Sequence, residues 1–230
     1  MSFLGSNSIV NESSTSSQIE NYKIVIIGDH YVGKTSILSR YKNEVFEKEY
    51  DQTVGIDFLT KNVFLEDTTI RLILWDIAGQ ERFKSLIPSY LKNTKCIILT
   101  YDISNKASFV SLNKWYSDSI EYVNENTLFV ICGNKLDLKR AVTKKEVEDF
   151  SNEINISIVK EVSALTGEGI NDLFNTIVKK FCDTIHLTNN GIIIEDINND
   201  HDIKSQNFSL KEKNKNDEEP INNKKKKKCC

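Results

Sequence analysis

The strongest constraint on this chain is a short apolar run that leads directly into a glycine-rich segment. Residues 22–27, Tyr-Lys-Ile-Val-Ile-Ile, are mostly β-branched, which predicts a buried strand. The segment Gly28-Asp-His-Tyr-Val-Gly-Lys-Thr35 follows without a gap, and a helical pattern then runs from about Thr35 to Tyr41. A strand, a GxxxxGK[ST] segment and a helix in this order are typical of a phosphate-binding loop. The sequence therefore predicts a phosphate site at the end of the first strand.

The residue types of this segment fit the chemistry of a triphosphate. The glycines let backbone N–H groups turn towards the phosphates, Lys34 neutralises the β- and γ-phosphate oxygens, and the Thr35 hydroxyl binds Mg²⁺. A surface turn that matches by chance is the competing interpretation, but the flanking strand and helix argue against it. The segment predicts a nucleoside triphosphate with Mg²⁺ and leaves the base open. The residues expected at the nucleotide here are Gly28, His30, Tyr31, Val32, Gly33, Lys34, Thr35 and Ser36.

Strand-like and helix-like segments alternate along the rest of the chain up to about residue 183. This alternation predicts an α/β fold, with a mainly parallel six-stranded sheet that contains one antiparallel hairpin strand and has helices on both faces. The further predicted strands are Phe58–Leu65, Ile70–Trp75, Cys96–Tyr101, Leu128–Cys132 and Ile156–Val159, and the further predicted helices are Ala107–Val123, Lys144–Glu153 and Ile170–Cys182.

A second motif, Asn134-Lys135-Leu-Asp137, follows the strand predicted at Leu128–Cys132. It lies at the carboxyl end of that strand, where open α/β sheets bind ligands. A carboxylate at Asp137 accepts hydrogen bonds from both N1–H and N2–H₂ of guanine, whereas adenine has no donor on that edge, so such a site rejects the wrong base by roughly 10⁴ to 10⁵. Alone, the motif could be a solvated turn. Downstream of a phosphate loop it predicts a guanine site.

A third segment, Trp75-Asp-Ile-Ala-Gly-Gln-Glu81, offers the groups that hydrolysis needs. Asp76 can hold Mg²⁺ through water, Gly79 can offer its N–H to the γ-phosphate, and Gln80 can orient the attacking water. Thr53 lies in the loop before the hairpin, and such a loop could close over Mg²⁺ while γ-phosphate is present. For Thr53 taken alone, an ordinary loop residue is the competing interpretation.

Together these motifs resemble the Ras superfamily of small GTPases, and the chain looks like the Rab family within it. The resemblance covers about Tyr22 to Cys182 and the two C-terminal cysteines, with five motifs in the family's order. It implies the P-loop GTPase fold, bound GTP or GDP, and a slow GTP hydrolase. The implied Mg²⁺ ligands are Thr35, Thr53 and Asp76, and the implied catalytic residue is Gln80.

The resemblance also implies roles for residues that the motifs alone do not assign. Phe46 would pack against guanine, and the Ala164 N–H, between Ser163 and Leu165, would contact guanine O6. Phe58, Trp75 and Tyr90 match the aromatic trio on which Rab effectors are discriminated; three aromatics at the edge of the core are the competing interpretation. The segments Gly55–Lys61, Leu65–Asp67 and Arg82–Tyr90 look most like the Rabs of Golgi trafficking.

Four residues depart from the family's pattern. His30 and Tyr31 stand where many relatives have small residues, and bulk beside the γ-phosphate would slow hydrolysis or hinder a partner's arginine finger. Ile77 replaces the Thr of the WDTAGQE pattern. Leu165 replaces the Lys of the SAK pattern, but guanine binding is still expected because the contact there is a backbone N–H.

The charge distribution divides the chain into an acidic body and a basic tip. The net charge is −3, and removing the five positive charges of Lys224–Lys228 leaves −8 for the rest, which argues against a nucleic-acid binder. The first twenty residues have no apolar run typical of a secretory signal, and no stretch is apolar enough to span a membrane, so we expect folding in the cytosol. The expected organisation is a disordered extension at 1–20, a GTPase domain at 21–183, and a flexible tail at 184–230.

The basic tip ends in Cys229 and Cys230, which lack the CaaX pattern. In Rabs a terminal Cys-Cys is similar to the substrate of double geranylgeranylation. Two lipid chains anchor a protein stably, and each adjacent lysine adds roughly 1 kcal/mol at an anionic leaflet. A solvated charge run and a nuclear address are the competing interpretations of Lys224–Lys228. We therefore expect a tether at the cytoplasmic face of intracellular membranes, Golgi or related vesicles, with a cytosolic pool.

The function expected is a membrane-tethered switch that recruits effectors when GTP and Mg²⁺ order its loops. The resemblance implies an exchange factor, a GTPase-activating protein, effectors, a prenylation escort and a GDI-type extraction protein as partners of a monomer. One alternative is a nucleotide-locked scaffold in which His30, Tyr31 and Ile77 have abolished useful hydrolysis. The other is an ATP-dependent, kinase-like P-loop enzyme.

Overall fold

The protein, as a computed structural model, is described over residues 20–46, 56–64, 69–77 and 87–189. Six strands and six helices lie in these residues. In chain order they are β1 (Glu20–Ile27), α1 (Lys34–Asn43), β2 (Ile56–Phe64), β3 (Thr69–Ile77), α2 (Ile87–Leu91), β4 (Cys96–Asp102), α3 (Lys106–Val110), α4 (Leu112–Ile120), β5 (Leu128–Asn134), α5 (Lys144–Glu153), β6 (Ile158–Glu161) and α6 (Ile170–Asn189).

The strands form one six-stranded sheet in the order β2-β3-β1-β4-β5-β6. All neighbouring pairs are parallel except β2 and β3, which pair antiparallel. The predicted fold class is therefore confirmed. β1 lies in the middle of the sheet, so the phosphate-binding loop that follows it emerges at the centre of the carboxyl edge, as in other open α/β sheets.

Hydrophobic residues pack on both faces of the sheet. In β1, Ile24 and Ile26 join the cluster that contains α1 and α6, whereas Val25 and Ile27 join the opposite cluster, which contains residues of α2, α3, α4 and α5. Because side chains alternate along a strand, a strand covered by helices on both faces is apolar over most of its length. This explains the continuous apolar runs of the central strands; all seven residues of β4 are buried.

Most predicted elements are present, with shifted ends. The helix predicted at Ala107–Val123 is divided into α3 and α4 at Ser111, whose φ and ψ remain helical (−63° and −20°) and whose hydroxyl donates to the Ala107 carbonyl oxygen at 3.1 Å. The strand predicted at Ile156–Val159 is displaced to β6, since the Ile156 N–H still donates to Ser151 in α5. The short helix α2 was not predicted.

The last helix also differs from the prediction, which ended it at Cys182. α6 continues to Asn189, because Ile185 repeats the four-residue apolar spacing after Phe181 and no Gly or Pro intervenes before Gly191. The chain divides into two compact units, Met1–His186 and Leu187–Cys230. All six strands belong to the first; of the second, the structure describes only 187–189, whose backbone is helical. No helix in the described residues has both the length and the apolar composition to cross a membrane.

Candidate functional site

Two glycines shape the loop between β1 and α1. Gly28 has φ +148°, and a Cβ there would lie 2.2 Å from the Thr100 carbonyl oxygen. Gly33 has φ +91°, and its Cβ would lie 2.3 Å from Nδ2 of Asn134. Any side chain at either position would therefore clash and would require a strained backbone. The glycines let the loop pack closely against β4 and β5, and α1 begins directly after them at Lys34.

The Lys34 ammonium is held inside this loop. Its side chain is buried (6% exposed), and Nζ donates to the carbonyl oxygens of Gly28 at 2.9 Å and Asp29 at 2.7 Å. Burial lowers the pKa of Lys34 to about 8, although the carboxylates of Asp76 and Asp29 oppose this shift. A cation enclosed by the loop at the N-terminus of α1 forms an arrangement that attracts phosphate oxygens.

Thr35 and Asp76 meet beside the loop. β1 and β3 are parallel, with Ile26 opposite Asp76, and this register places the buried carboxylate (3% exposed) next to the first turn of α1. The Thr35 hydroxyl donates to Oδ2 of Asp76. Mg²⁺ prefers oxygen ligands and takes one or two protein groups together with phosphates and water. The two predicted ligands therefore fit Mg²⁺, and the described residues contain no cluster of three or more His, Cys, Asp or Glu that would form an all-protein metal cage.

The remaining predicted residues of the phosphate loop differ in exposure. Val32 is buried, and Ser36 is partly buried in the first turn of α1. His30 and Tyr31 are exposed, with ring centroids 6.2 Å apart, and Tyr31 is 67% exposed with φ +60°. A non-glycine residue in this left-handed conformation costs roughly 1–2 kcal/mol. The two bulky departures from the family pattern thus lie on the open side of the loop.

Asn134, the last residue of β5, joins the phosphate loop to the loop after β6. Its Nδ2 donates to the Val32 carbonyl oxygen at 2.8 Å, and its Oδ1 accepts a hydrogen bond from the Ala164 N–H at 3.1 Å. Asn134 is buried (1% exposed), so both contacts form away from solvent. The N–H that was predicted to contact guanine O6 therefore donates to Asn134 in this structure, and a contact with O6 would have to share this donor with Oδ1 of Asn134.

Lys135 pairs with a carboxylate at the end of the neighbouring strand. Its Nζ lies 2.7 Å from Oδ2 of Asp102, which the β4–β5 register places opposite Asn134. Burial opposes ionisation of Asp102, but hydrogen bonds from Lys135 and Ser104 outweigh this effect and lower the pKa of the carboxyl. The ion pair fixes the lysine stem beside the base site.

Asp137 and Ser163 form the other part of the predicted base site. The Ser163 hydroxyl donates to Oδ1 of Asp137, and the Leu136 N–H donates to the Val162 carbonyl oxygen at 3.0 Å. These contacts hold the two loops together, so the carboxylate of Asp137 and the N–H of Ala164 belong to one connected network. Leu165 is 47% exposed, and its uncharged side chain stands where the family pattern has a lysine.

Three contributors to the site were not predicted. Arg40 in α1 donates to the Ala164 and Leu165 carbonyl oxygens, and the Trp115 indole N–H donates to Oδ1 of Asp29 at 2.7 Å. Neither contact has a local sequence signal, because each joins residues far apart in the chain. Asp102 could have been found, since it ends a parallel strand beside the one that carries Asn134.

The predicted aromatic trio is brought together at the edge of the sheet. Phe58 on β2 lies directly opposite Trp75 on β3, with ring centroids 5.8 Å apart, and Tyr90 lies 6.1 Å from Trp75. Phe58 is 57% exposed, while the other two are partly buried. The Lys23 ammonium lies 4.5 Å from the Trp75 ring and donates to the Lys92 carbonyl oxygen. The three rings therefore form a continuous and partly exposed aromatic surface.

Five predicted site residues lie outside the described parts of the chain. They are the second threonine of the metal site, the glycine and glutamine of the hydrolytic segment, and the two terminal cysteines: Thr53, Gly79, Gln80, Cys229 and Cys230.

A comparison with protein-family models matches the chain to the model described as the Ras family. The match covers residues 23–183, from β1 into α6. It therefore includes all the described site residues above.

Proposed function

The chain belongs to the Ras family of small GTPases, since the family's model covers well over half of it, and from this premise we propose that it is a Rab-type switch tethered to intracellular membranes. Members of the Ras family bind GTP and GDP with Mg²⁺ and hydrolyse GTP. In the proposal, the GTP state recruits effectors in vesicle transport at Golgi-related membranes, and the GDP state releases them.

The observation that carries the nucleotide part of the proposal is the pair of contacts made by Asn134. One amide side chain bonds to the Val32 carbonyl oxygen in the phosphate loop and to the Ala164 N–H in the base loop. These two contacts support the proposal that the phosphate loop and the base loop bind one ligand together. A ligand with a phosphate chain at one end and a purine edge at the other fits this arrangement.

Different residues of the site would bind different parts of the nucleotide. Lys34 neutralises the phosphate chain, while Asp137 accepts hydrogen bonds from guanine N1–H and N2–H₂ and so excludes adenine. Thr35 and Asp76, with Thr53, would hold Mg²⁺. When bound, Mg²⁺ neutralises the charge that develops on the phosphate oxygens. Phe46, partly buried against the α1–α6 core, would pack on the base.

Hydrolysis depends on Gln80, which would orient the attacking water next to the γ-phosphate. We expect an unassisted rate on the order of 10⁻⁴ to 10⁻³ per second. Single-turnover hydrolysis of GTP tests this, with Gln80→Leu as the control. Equal rates in the two proteins would favour the alternative, a nucleotide-locked scaffold, for which the exposed rings of His30 and Tyr31 at the mouth of the loop are the specific argument.

The Rab assignment is supported by the aromatic surface formed by Phe58, Trp75 and Tyr90. Aromatic side chains that remain exposed are typical anchors of protein interfaces. The Golgi assignment rests on the resemblance of the segments Gly55–Lys61, Leu65–Asp67 and Arg82–Tyr90 to the Rabs of Golgi trafficking. Imaging of the full-length protein tests the organelle, and a distribution without Golgi overlap would contradict it.

The tether is assigned to Cys229 and Cys230, with Lys224–Lys228 as an electrostatic addition. The double substitution Cys229→Ser with Cys230→Ser should move the protein from the membrane pellet to the soluble fraction. Neutralising two of the lysines should reduce pelleting only partly, and more at low salt than at high salt. Unchanged pelleting of the double cysteine variant would exclude a lipid anchor at these residues.

The base can be identified from the nucleotide that the purified protein carries. Denaturation should release guanine nucleotide, which chromatography separates from adenine nucleotide. Recovery of ATP or ADP alone would replace the proposal with the kinase-like P-loop alternative.

A further inference from the structure

We propose that Arg40 is a positioning residue for guanine recognition, because its one guanidinium fixes both sides of the base site. The inference rests on the proposed function, in which Ala164 and Phe46 contact the base. Arg40 itself lies in α1, and it would act through the backbone of two other segments.

The first side is the base loop. Nε of Arg40 donates to the Ala164 carbonyl oxygen at 2.8 Å, and Nη2 donates to the Leu165 carbonyl oxygen at 2.6 Å. These carbonyls belong to the two successive peptide planes that follow the Ala164 N–H in the chain. Fixing them limits rotation of the backbone that presents this N–H to guanine O6.

The second side is the chain that leaves α1. Nη1 of Arg40 donates to the Glu44 carbonyl oxygen at 2.7 Å, and Glu44 ends the helix in a left-handed conformation, with φ +60°. The guanidinium carbon also lies 6.0 Å from the centroid of the Phe46 ring. The same group therefore holds the segment that carries the aromatic ring expected to pack on the base.

The chemistry of these contacts is specific to arginine. A guanidinium presents several N–H donors in a rigid planar fork, whereas a lysine ammonium is a point charge that cannot match three separate carbonyls in this geometry. No carboxylate among the described side chains forms an ion pair with Arg40, so its charge is directed to backbone carbonyls. Hydrogen bonds to an ionised donor are about twice as strong as neutral ones.

Analogues of GDP separate this role from a general contribution to folding. 6-Thio-GDP replaces O6 by sulfur, a larger and weaker acceptor, while IDP lacks the N2 amine that Asp137 would bind. We suggest measuring the dissociation rates of GDP, 6-thio-GDP and IDP from the full-length protein with Mg²⁺. The variants are Arg40→Gln and Arg40→Lys, and the control is Lys42→Gln, which removes the same charge from an exposed position on the same helix.

In Arg40→Gln, GDP should dissociate about tenfold faster, and the preference for GDP over 6-thio-GDP should fall by roughly the same factor. The preference for GDP over IDP should stay unchanged, because the contact with Asp137 remains. Arg40→Lys should resemble Arg40→Gln, and Lys42→Gln should resemble the wild type.

Two outcomes would overturn the inference. Unchanged rates and preferences in both Arg40 variants would mean that the guanidinium does not support the O6 contact. An equal increase in the dissociation rates of all three nucleotides would mean that Arg40 supports only the fold. If the wild type binds none of the three, the proposed function itself fails and this inference fails with it.

Discussion

The phosphate side and the base side of the site are built in different ways. On the phosphate side, Lys34 bonds to carbonyls only five and six residues earlier, within one continuous loop. On the base side, the contacts join residues that are far apart in the chain: Asn134 accepts a hydrogen bond from the Ala164 N–H, and Arg40 of α1 donates to the carbonyl oxygen of the same residue. The phosphate side is a local motif that is braced by distant residues such as Trp115 and Asn134, whereas the base side is assembled entirely from distant segments.

This difference separates affinity from specificity. The local loop supplies positive charge and backbone N–H groups, which attract any nucleotide with a phosphate chain. The base side selects among nucleotides, and its precision depends on the relative positions of α1, β5 and the loop after β6. Substitutions in the phosphate loop should therefore lower the affinity for all nucleotides by similar factors, whereas substitutions on the base side should change the preference among nucleotides.

The largest expected effect is on base selection. Asp137→Ala should remove most of the discrimination between GDP and ADP, a factor of roughly 10⁴, because no acceptor remains for guanine N1–H and N2–H₂. Lys34→Ala should lower the affinities for GDP and ADP by a similar factor and leave the ratio of the two affinities unchanged. Competition binding with both nucleotides measures the two ratios. If the ratio of GDP affinity to ADP affinity is unchanged in Asp137→Ala, the assignment of Asp137 to the base side is wrong.

The next effect concerns Asn134, which connects the two sides. Asn134→Ala removes two buried hydrogen bonds and leaves the Val32 carbonyl and the Ala164 N–H without this partner, so the free energy of unfolding should fall by about 2–3 kcal/mol. Asn134→Asp keeps an acceptor for Ala164 but has no donor for Val32, so it should lose the contact on the phosphate side. Urea unfolding measures both variants, with the exposed Asn113→Ala as the control.

Asn134 also has a predicted effect on binding. GDP affinity should fall in both variants, and the preference for GDP over ADP should fall more in Asn134→Ala than in Asn134→Asp. Equal preferences in the two variants would mean that Ala164 keeps its position without the side chain of residue 134.

A smaller effect is expected from the anchor of the phosphate loop. Trp115→Phe keeps the aromatic packing of α4 but removes the indole N–H that donates to Asp29. The loss of this hydrogen bond should lower the free energy of unfolding by about 1 kcal/mol. The affinities for GDP and ADP should both fall by roughly fivefold. In an Asp29→Ala background the same substitution should have almost no further effect. Full additivity of the two changes would show that the contact does not contribute.

The contrast between the two sides also explains what the sequence could predict. The central strands and the phosphate loop follow from local patterns: an apolar run buried on both faces, and glycines at positions that admit no Cβ. Asn134 and Asp137 were identified as base-site residues from a four-residue motif. The bridge from Asn134 to Val32 and the contacts of Arg40 and Trp115 had no such signal, because they depend on the packing of distant segments.

The smallest expected effect is a loss of stability in acid that arises on the base side, because the lowered pKa of Lys34 on the phosphate side, about 8, makes stability depend on pH only in the alkaline range. The pKa of Asp102 is lower in the folded protein than in the unfolded chain, so the unfolded state binds more protons in acid. The contribution of the Asp102–Lys135 pair is therefore fully present above the ordinary aspartate pKa of about 4 and is lost as the pH falls below it.

Asp102→Asn removes this dependence and tests where it lies. At pH 7 the variant should be less stable than the wild type by about 1 kcal/mol, since the pair is only partly buried, and at pH 3 the difference should shrink. Urea unfolding at both pH values measures it. For Lys135→Gln, the difference in stability from the wild type should likewise shrink between pH 7 and pH 3. The double variant should be little less stable than either single variant, because both substitutions break the same interaction. A difference that stays constant from pH 7 to pH 3 would mean that Asp102 acts through its hydrogen bonds to Ser104 rather than through its charge, and the two sides of the site would then not differ in their response to acid.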